Sequence, residues 1–265
     1  MRDFTFHRPD SLEQASALLE GSDDGIFMAG GQTLIPVMKQ GLSAPEDIIE
    51  LSRIEQLKGI AVDGDVLSVG AMTTHAAVAA SGDAQATIPA LAALAGEIGD
   101  PHVRNRGTLG GSIANNDPAA DHPAAVLGLK ADVVTPTRAV AADDFFVDLF
   151  ETALGEGEIV TRVDFRIPDK AAYVKFPNPA SRYALVGVFV SRWHDGQVRV
   201  AVTGAGPCVF RVAAFEEALA ADFSPAALDG VALPADDLNA DIHASADYRA
   251  HLIGVLAKRA VQAAG

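Results

Sequence analysis

Apolar and polar positions change period along this chain, and each change marks an element. Phe4 to His7 alternates weakly. After Pro9-Asp10-Ser11, residues Leu12, Ala15, Leu18 and Leu19 recur at helical spacing. Ser11 is the expected N-cap of that helix, with Gln14 as its capping-box partner. Gly25 to Ala29 is a short apolar run of strand type. Gly30-Gly31 follows, then a short helical stretch from Leu34 to Gln40 that tolerates Pro36 in its first turn. Asp47 to Leu51 reads as the next strand. Strand, glycine turn, helix and strand predict a βαβ unit and a small parallel sheet. The glycine turn falls at a helix N-terminus, which suits an anion. GGQTLI lacks the G-x-G-x-x-G spacing, so it is not a Rossmann fingerprint.

Val66 to Ala71 is a predicted strand, and Thr73-Thr74 cap a helix from His75 to Ala80. Pro89 to Gly99 is an Ala/Leu helix. Ala124 to Leu129 is helical, and Ala131 to Pro136 a strand. Val160 to Ile167 alternates as a half-buried strand and is closed by Pro168, where a boundary is expected. Beyond it come Tyr173 to Phe176 and two strands, Ala184 to Val190 and Val198 to Thr203, joined by an Asp195-Gly196 hairpin turn. Val212 to Ala221 is an Ala-rich helix, Pro225 to Ala240 loop or short helix, and Asp247 to Ala264 a long amphipathic helix. The pattern predicts an α+β chain with its domain boundary at Pro168.

Composition narrows the function classes. The 265 residues carry 20 Lys and Arg against 35 Asp and Glu, a net charge of −15. That opposes a nucleic-acid surface, which needs a basic footprint. No apolar run reaches the roughly 18 residues that span a bilayer. MRDFTFHRPDS has no apolar core of a secretory signal, so the cytoplasm is the expected location. The single cysteine, Cys208, reads as a small buried apolar residue. It cannot by itself hold an iron–sulfur cluster, which takes about four Cys. No histidines stand at metal-ligand spacing, so no zinc or iron site is expected.

The candidate chemistry centres on Thr108 to Asp121, TLGGSIANNDPAAD, preceded by Arg104 and Arg106. Gly110-Gly111 lets backbone approach a ligand closely, and successive N–H groups in such a turn can form an anion-binding nest. Ala29-Gly30-Gly31-Gln32-Thr33-Leu34 is a second stretch of that kind. Either pair alone is most often a tight turn; together they read as two loops clasping one diphosphate. Asp117 and Asp121 read either as a general acid/base pair or as acceptors for a polyol. His75 reads as a base or as a half-exposed structural residue, and His122 as a proton relay, a ligand contact or a cap. No Gly-x-Ser-x-Gly or other nucleophile–base pair is present.

AGGQTLIPVMKQ followed by DPHVRNRGTLGGSIANNDPAAD resembles the FAD-binding medium subunit of the molybdenum hydroxylases, which include aerobic carbon monoxide dehydrogenase and the xanthine dehydrogenases. The resemblance runs from Phe4 to at least Ile167 and more weakly to the C-terminus, with AMTTHA and YVKF in the family's order. It implies a PCMH-type FAD-binding domain: a small parallel α/β subdomain (1–57) and a larger mixed or antiparallel subdomain with helices (58–168). A small C-terminal α+β domain with an antiparallel sheet (169–265) follows.

The resemblance also implies non-covalent FAD. Ala29, Gly30, Gly31, Gln32, Thr33 and Leu34 would lie against its diphosphate, and Thr108, Gly110, Gly111 and Ser112 would face it from the other side. Asp121 would bind the cofactor, beside Asp117. Ile98 and Ile159 would make apolar flavin or adenine contacts, Lys175 would reach the cofactor, and Tyr183 would lie by the isoalloxazine ring. Ser181-Arg182 departs from the family's pattern just before that tyrosine. Electrons would arrive from an iron–sulfur small subunit and leave to NAD, a quinone or another acceptor. Substrate would be oxidised in a molybdopterin large subunit, within a dimer of heterotrimers. Two other readings are a stand-alone PCMH-type FAD oxidase and a redox-inactive nucleotide-binding subunit.

Overall fold

A computed structural model describes residues 2–265. The N-terminal part builds β1 (Thr5–His7), α1 (Leu12–Glu20), β2 (Gly25–Met28), α2 (Leu34–Lys39) and β3 (Asp47–Glu50). The strands run parallel in the order β1-β3-β2. The Ser11 hydroxyl accepts from Gln14 N–H at 3.2 Å, and the Gln14 side chain reaches back to the Asp10 N–H at 3.0 Å. The capping box therefore closes one residue earlier than its standard form.

The middle part is a hairpin, a run of helices and a returning strand. β4 (Ile60–Asp63) and β5 (Val66–Gly70) lead into α3 (His75–Ala80), α4 (Gly82–Thr87), α5 (Pro89–Gly96) and α6 (Pro101–Arg104). α7 (Leu109–Asn115) and α8 (His122–Gly128) follow, then β6 (Asp132–Val134), β7 (Ala139–Ala141) and α9 (Ala142–Phe145). A two-stranded hairpin, β8 (Phe146–Asp148) with β9 (Glu151–Thr152), precedes β10 (Arg162–Arg166). β10 comes last in sequence yet takes the centre of the five-stranded order β4-β5-β10-β6-β7, where Val163 and Phe165 are fully buried.

The last part is an antiparallel sheet of β11 (Lys170–Pro177), β12 (Ala184–Arg192), β13 (Val198–Thr203) and β14 (Phe210–Arg211). α10 (Ala213–Ala221) and α11 (Ala246–Ala264) pack on it. The other face meets α8, because Phe189 of β12 and Ala201 of β13 join the core of the middle sheet. Together these elements make the α+β architecture that the apolar pattern predicts.

Four expectations change. Gly110-Gly111 lies in the first turn of α7 and not in a loop. His75 is buried, not half-exposed, and Cys208 is half-buried and not a core residue. The helix from Pro89 ends at Gly96, short of Gly99. The short pieces β4, α4, α6, β7 to β9, α9 and β14 have too few residues to show a period and go unread in the sequence. Phe189 ties two layers together with none of its surface exposed. Phe189→Ala should cost about 3–5 kcal/mol, the range for an aromatic removed from a core. A denaturant midpoint equal to the parent's would show that the layers do not depend on it.

Candidate functional site

One cleft of about 810 Å3 runs between the start of α2, the start of α7 and the loop before β12. The residues that the resemblance assigns to the cofactor line it, Lys175 alone excepted, whereas Arg104, Arg106 and His122 do not. Two distant segments meet at its floor through missing side chains. A Cβ on Gly30 would stand 2.1 Å from the Arg106 carbonyl oxygen and 2.9 Å from the Gly107 Cα. A Cβ on Gly110 would stand 2.5 Å from that of Ala71, at the end of β5. Gly31 has φ +71°, the left-handed region that favours glycine, and turns the chain into α2.

The two segments do not offer donors equally. Leu109 N–H donates to the Thr73 carbonyl at 3.1 Å, Gly110 N–H to Ala71 at 2.8 Å, and Gly111 N–H to the Thr108 hydroxyl at 3.1 Å. The opening N–H groups of α7 are thereby satisfied inside the chain, so Gly110-Gly111 is no anion nest. It is the place where α7 packs onto β5 and onto Ala29. The N–H groups of Gln32, Thr33 and Leu34 have no acceptor among the described residues, and Thr33 makes no side-chain cap. Free donors therefore come from the first segment, while Thr108 and Ser112 supply the facing wall. Arg104 is occupied by the Ile98 carbonyl at 2.9 Å, and Arg106 lines a separate recess of about 600 Å3.

At the other end, Asp121 is buried and does not cap α8. Its carboxylate accepts from the Tyr173 hydroxyl at 2.5 Å and lies 3.0 Å from the Lys175 ammonium. Lys175 also donates to the Glu97 carbonyl at 3.0 Å, so it stands behind Asp121 and not on the cleft wall. Burial pushes the Asp121 carboxyl up, against the pull of Lys175 and Tyr173. Burial likewise drives the Tyr173 hydroxyl far up, reinforced by Asp121. Asp117 accepts from Ala119 N–H at 2.8 Å in an Asx turn. Tyr183 stands half-exposed at the rim, its hydroxyl raised by burial and by Asp117 and Asp121. Ile98 and Ile159 both supply apolar wall of the cleft.

Sequence reasoning missed Glu158, which lines the cleft and holds Arg138 through two bonds of 2.9 and 2.6 Å. Those hydrogen bonds, together with one from Gly155 N–H, hold its carboxyl down to about 2. Twenty residues separate the pair, so no local signal announces it. No group of three or more His, Cys, Asp and Glu side chains among the described residues is arranged to hold a metal ion. No helix among them is long and apolar enough to cross a membrane.

A cleft with free N–H donors facing a hydroxyl-lined wall, and apolar sides leading to buried carboxylate and tyrosine groups, defines a dinucleotide-binding protein of the flavin type. The model of the FAD binding domain in molybdopterin dehydrogenase matches residues 2–170. The carbon monoxide dehydrogenase medium chain of Hydrogenophaga pseudoflava is 35% identical, the alignment covering 98% of this chain and 96% of that one. The nicotine 6-hydroxylase medium subunit of Paenarthrobacter nicotinovorans is 36% identical over 97% and 95%. The solved carbon monoxide dehydrogenase from H. pseudoflava superimposes with a TM-score of 0.88, covering 99% of this chain and 97% of its counterpart. The chain belongs to the FAD-binding family of the molybdopterin dehydrogenases. It is an FAD-containing subunit of an oxidoreductase, and the cleft suits that cofactor: its volume lies in the usual ligand range of about 300–1,000 Å3.

A Cβ at Gly111 would meet the Thr108 hydroxyl at 2.9 Å and Ala29 Cβ at 3.1 Å. Gly111→Val should therefore disturb the α7 cap and the facing segment together. Both melting temperature and FAD affinity should fall, and normal FAD binding would show that the two segments need not touch. The buried histidines generate a pH dependence. Burial holds His75 at about 4 and His122 well below the ordinary value of about 6.5. Depressed values mean that the neutral rings stabilise the fold above pH ~6.5 and that this contribution is lost as pH falls toward ~4. Melting temperature should drop across that window, and His122→Phe should flatten the slope; equal slopes in parent and variant would assign the loss to other groups.

Proposed function

We propose that this chain is the electron-carrying flavoprotein of a three-part molybdenum hydroxylase. It takes electrons from an iron–sulfur small subunit and passes them to NAD, a quinone or another external acceptor. The substrate is oxidised in a molybdopterin large subunit, and the complex is a dimer of heterotrimers. The observation that carries this reading is the cleft itself, whose free donors, apolar walls and rim tyrosine are spaced along one groove. Bound FAD supplies the redox chemistry. The N–H groups from Gln32 to Leu34 hold the diphosphate, opposite Thr108 and Ser112. Ile98 and Ile159 would exclude water from bound FAD, and Tyr183 would meet it at the rim. Asp121 is the acceptor on the polar side, fixed in place by Tyr173 and Lys175.

Two further observations support partners. The relatives carry names of medium chains and subunits. The β8–β9 hairpin exposes Val147, Leu149 and Phe150 by 53%, 54% and 57%. Asn116, the residue after α7, holds that hairpin through bonds of 2.8 Å to the carbonyls of Asp148 and Glu151. Phe150 has φ +55°, a costly backbone for a bulky side chain. A strained, pinned and apolar hairpin beside the cleft is a docking surface for another subunit.

The test is purification of the chain from its own cells, followed by acid precipitation. Two partner chains should co-purify, and the flavin should pass into the supernatant. The isolated chain should reduce no dye with carbon monoxide, purines or aldehydes. Turnover by the isolated chain would favour a stand-alone oxidase, and flavin retained in the pellet would mean a covalent link.

A further inference from the structure

His75 lines the cleft but has no part in the scheme above. It opens α3, and its backbone N–H donates to the Gly107 carbonyl at 3.0 Å. Its ring Nδ1 lies 3.0 Å from Nε2 of His122, and the two rings stand 4.9 Å apart at 39°. His122 is fully buried, and its remaining nitrogen, Nδ1, has no partner among the described residues. The remaining nitrogen of His75, Nε2, lies beside Gly107, and both residues line the cleft. A Cβ on Gly107 would lie 2.7 Å from it, so only glycine at that position leaves room for the ring.

Both rings are neutral near pH 7, because burial opposes their charged forms and Arg104 adds to the effect at His75. Each ring then carries one hydrogen, and one hydrogen joins the two. Only two arrangements satisfy the geometry. If His75 donates through Nδ1, the hydrogen of His122 must sit on Nδ1, a buried N–H with no acceptor. If His122 donates through Nε2, only a lone pair is left unmatched at its Nδ1, and the hydrogen of His75 sits on Nε2. An orphaned buried N–H is the rarer and costlier outcome.

We infer that His122 locks His75 in the Nε2–H form, so that His75 presents a neutral hydrogen-bond donor to an acceptor oxygen of the bound dinucleotide at the Gly107–Thr108 wall. His75 is thus a binding residue and His122 a positioning residue. A neutral donor holds its ligand without titrating in the range where an ordinary histidine would change charge. The inference rests on the FAD reading of the cleft, but the lock itself does not.

The two arrangements differ in a direct observable, because both rings carry hydrogen on Nε2 in one and on Nδ1 in the other. Nitrogen and carbon NMR of the full chain labelled at histidine should show both rings as Nε2–H, with and without FAD. Two Nδ1–H rings would overturn the proposal. FAD titration followed by flavin fluorescence gives the second arm. His75→Leu should weaken binding about tenfold, the scale of one lost hydrogen bond. His75→Gln, which keeps a donor, should recover most of it. His75→Leu with the parent's affinity would sink the donor role while leaving the flavin site standing. A parent chain that bound no FAD would instead refute the flavin reading, and the NMR arm would still decide the lock.

Discussion

Gly30 meets the backbone of Arg106 and Gly107 so closely that no other residue fits between them. That contact joins segments from two different sheets and makes one groove from two shallow surfaces. The free N–H groups of Gln32 to Leu34 face Thr108 and Ser112 only because the backbones touch behind them. The glycines of the second segment serve the same end, since Gly110 lets α7 hydrogen-bond to the end of β5. Close backbone packing is paid for in chain entropy, because glycine loses more freedom on folding than any other residue. Clustering glycine in these two places therefore points to a site more than to a turn.

The polar end of the groove rests on a different balance. A carboxylate as buried as Asp121 is costly without partners. Lys175 offsets the charge, and Tyr173 supplies a hydrogen bond. Tyr173 reaches Asp121 across the place where a Cβ on Gly187 would stand, 2.2 Å from its hydroxyl. A glycine in the middle of a nine-residue strand is thus required by a neighbour's side chain, with no ligand involved.

Much of this was legible in the sequence. Periodicity read α1, β2, α2, β3 and α11 to within a residue or two, because each has enough apolar positions to show a period. The two glycine segments stand out as paired motifs, while Ile98, Ile159, Lys175 and Tyr183 enter only through the resemblance to the family. What could not be read is whatever depends on long-range pairing. The central place of β10, the Arg138–Glu158 fork and the His75–His122 pair bring together residues far apart in sequence, and none has a local signature. The role of Gly110-Gly111 was misread because a helix whose N–H donors are satisfied and a loop whose donors are free can share the same residues.

Asp121 takes its two partners from β11, and the rim takes Tyr183 from the loop before β12. The family match stops at residue 170, just before them. During synthesis, chains fold from the N-terminus as they emerge. The glycine-joined floor of the groove can form early, but its polar wall is complete only when the third sheet has left the ribosome and docked. Until then Asp121 has neither its lysine nor its tyrosine and is better served by water than by burial. The order of emergence thus makes the Asp121 end of the groove the last part of it to close.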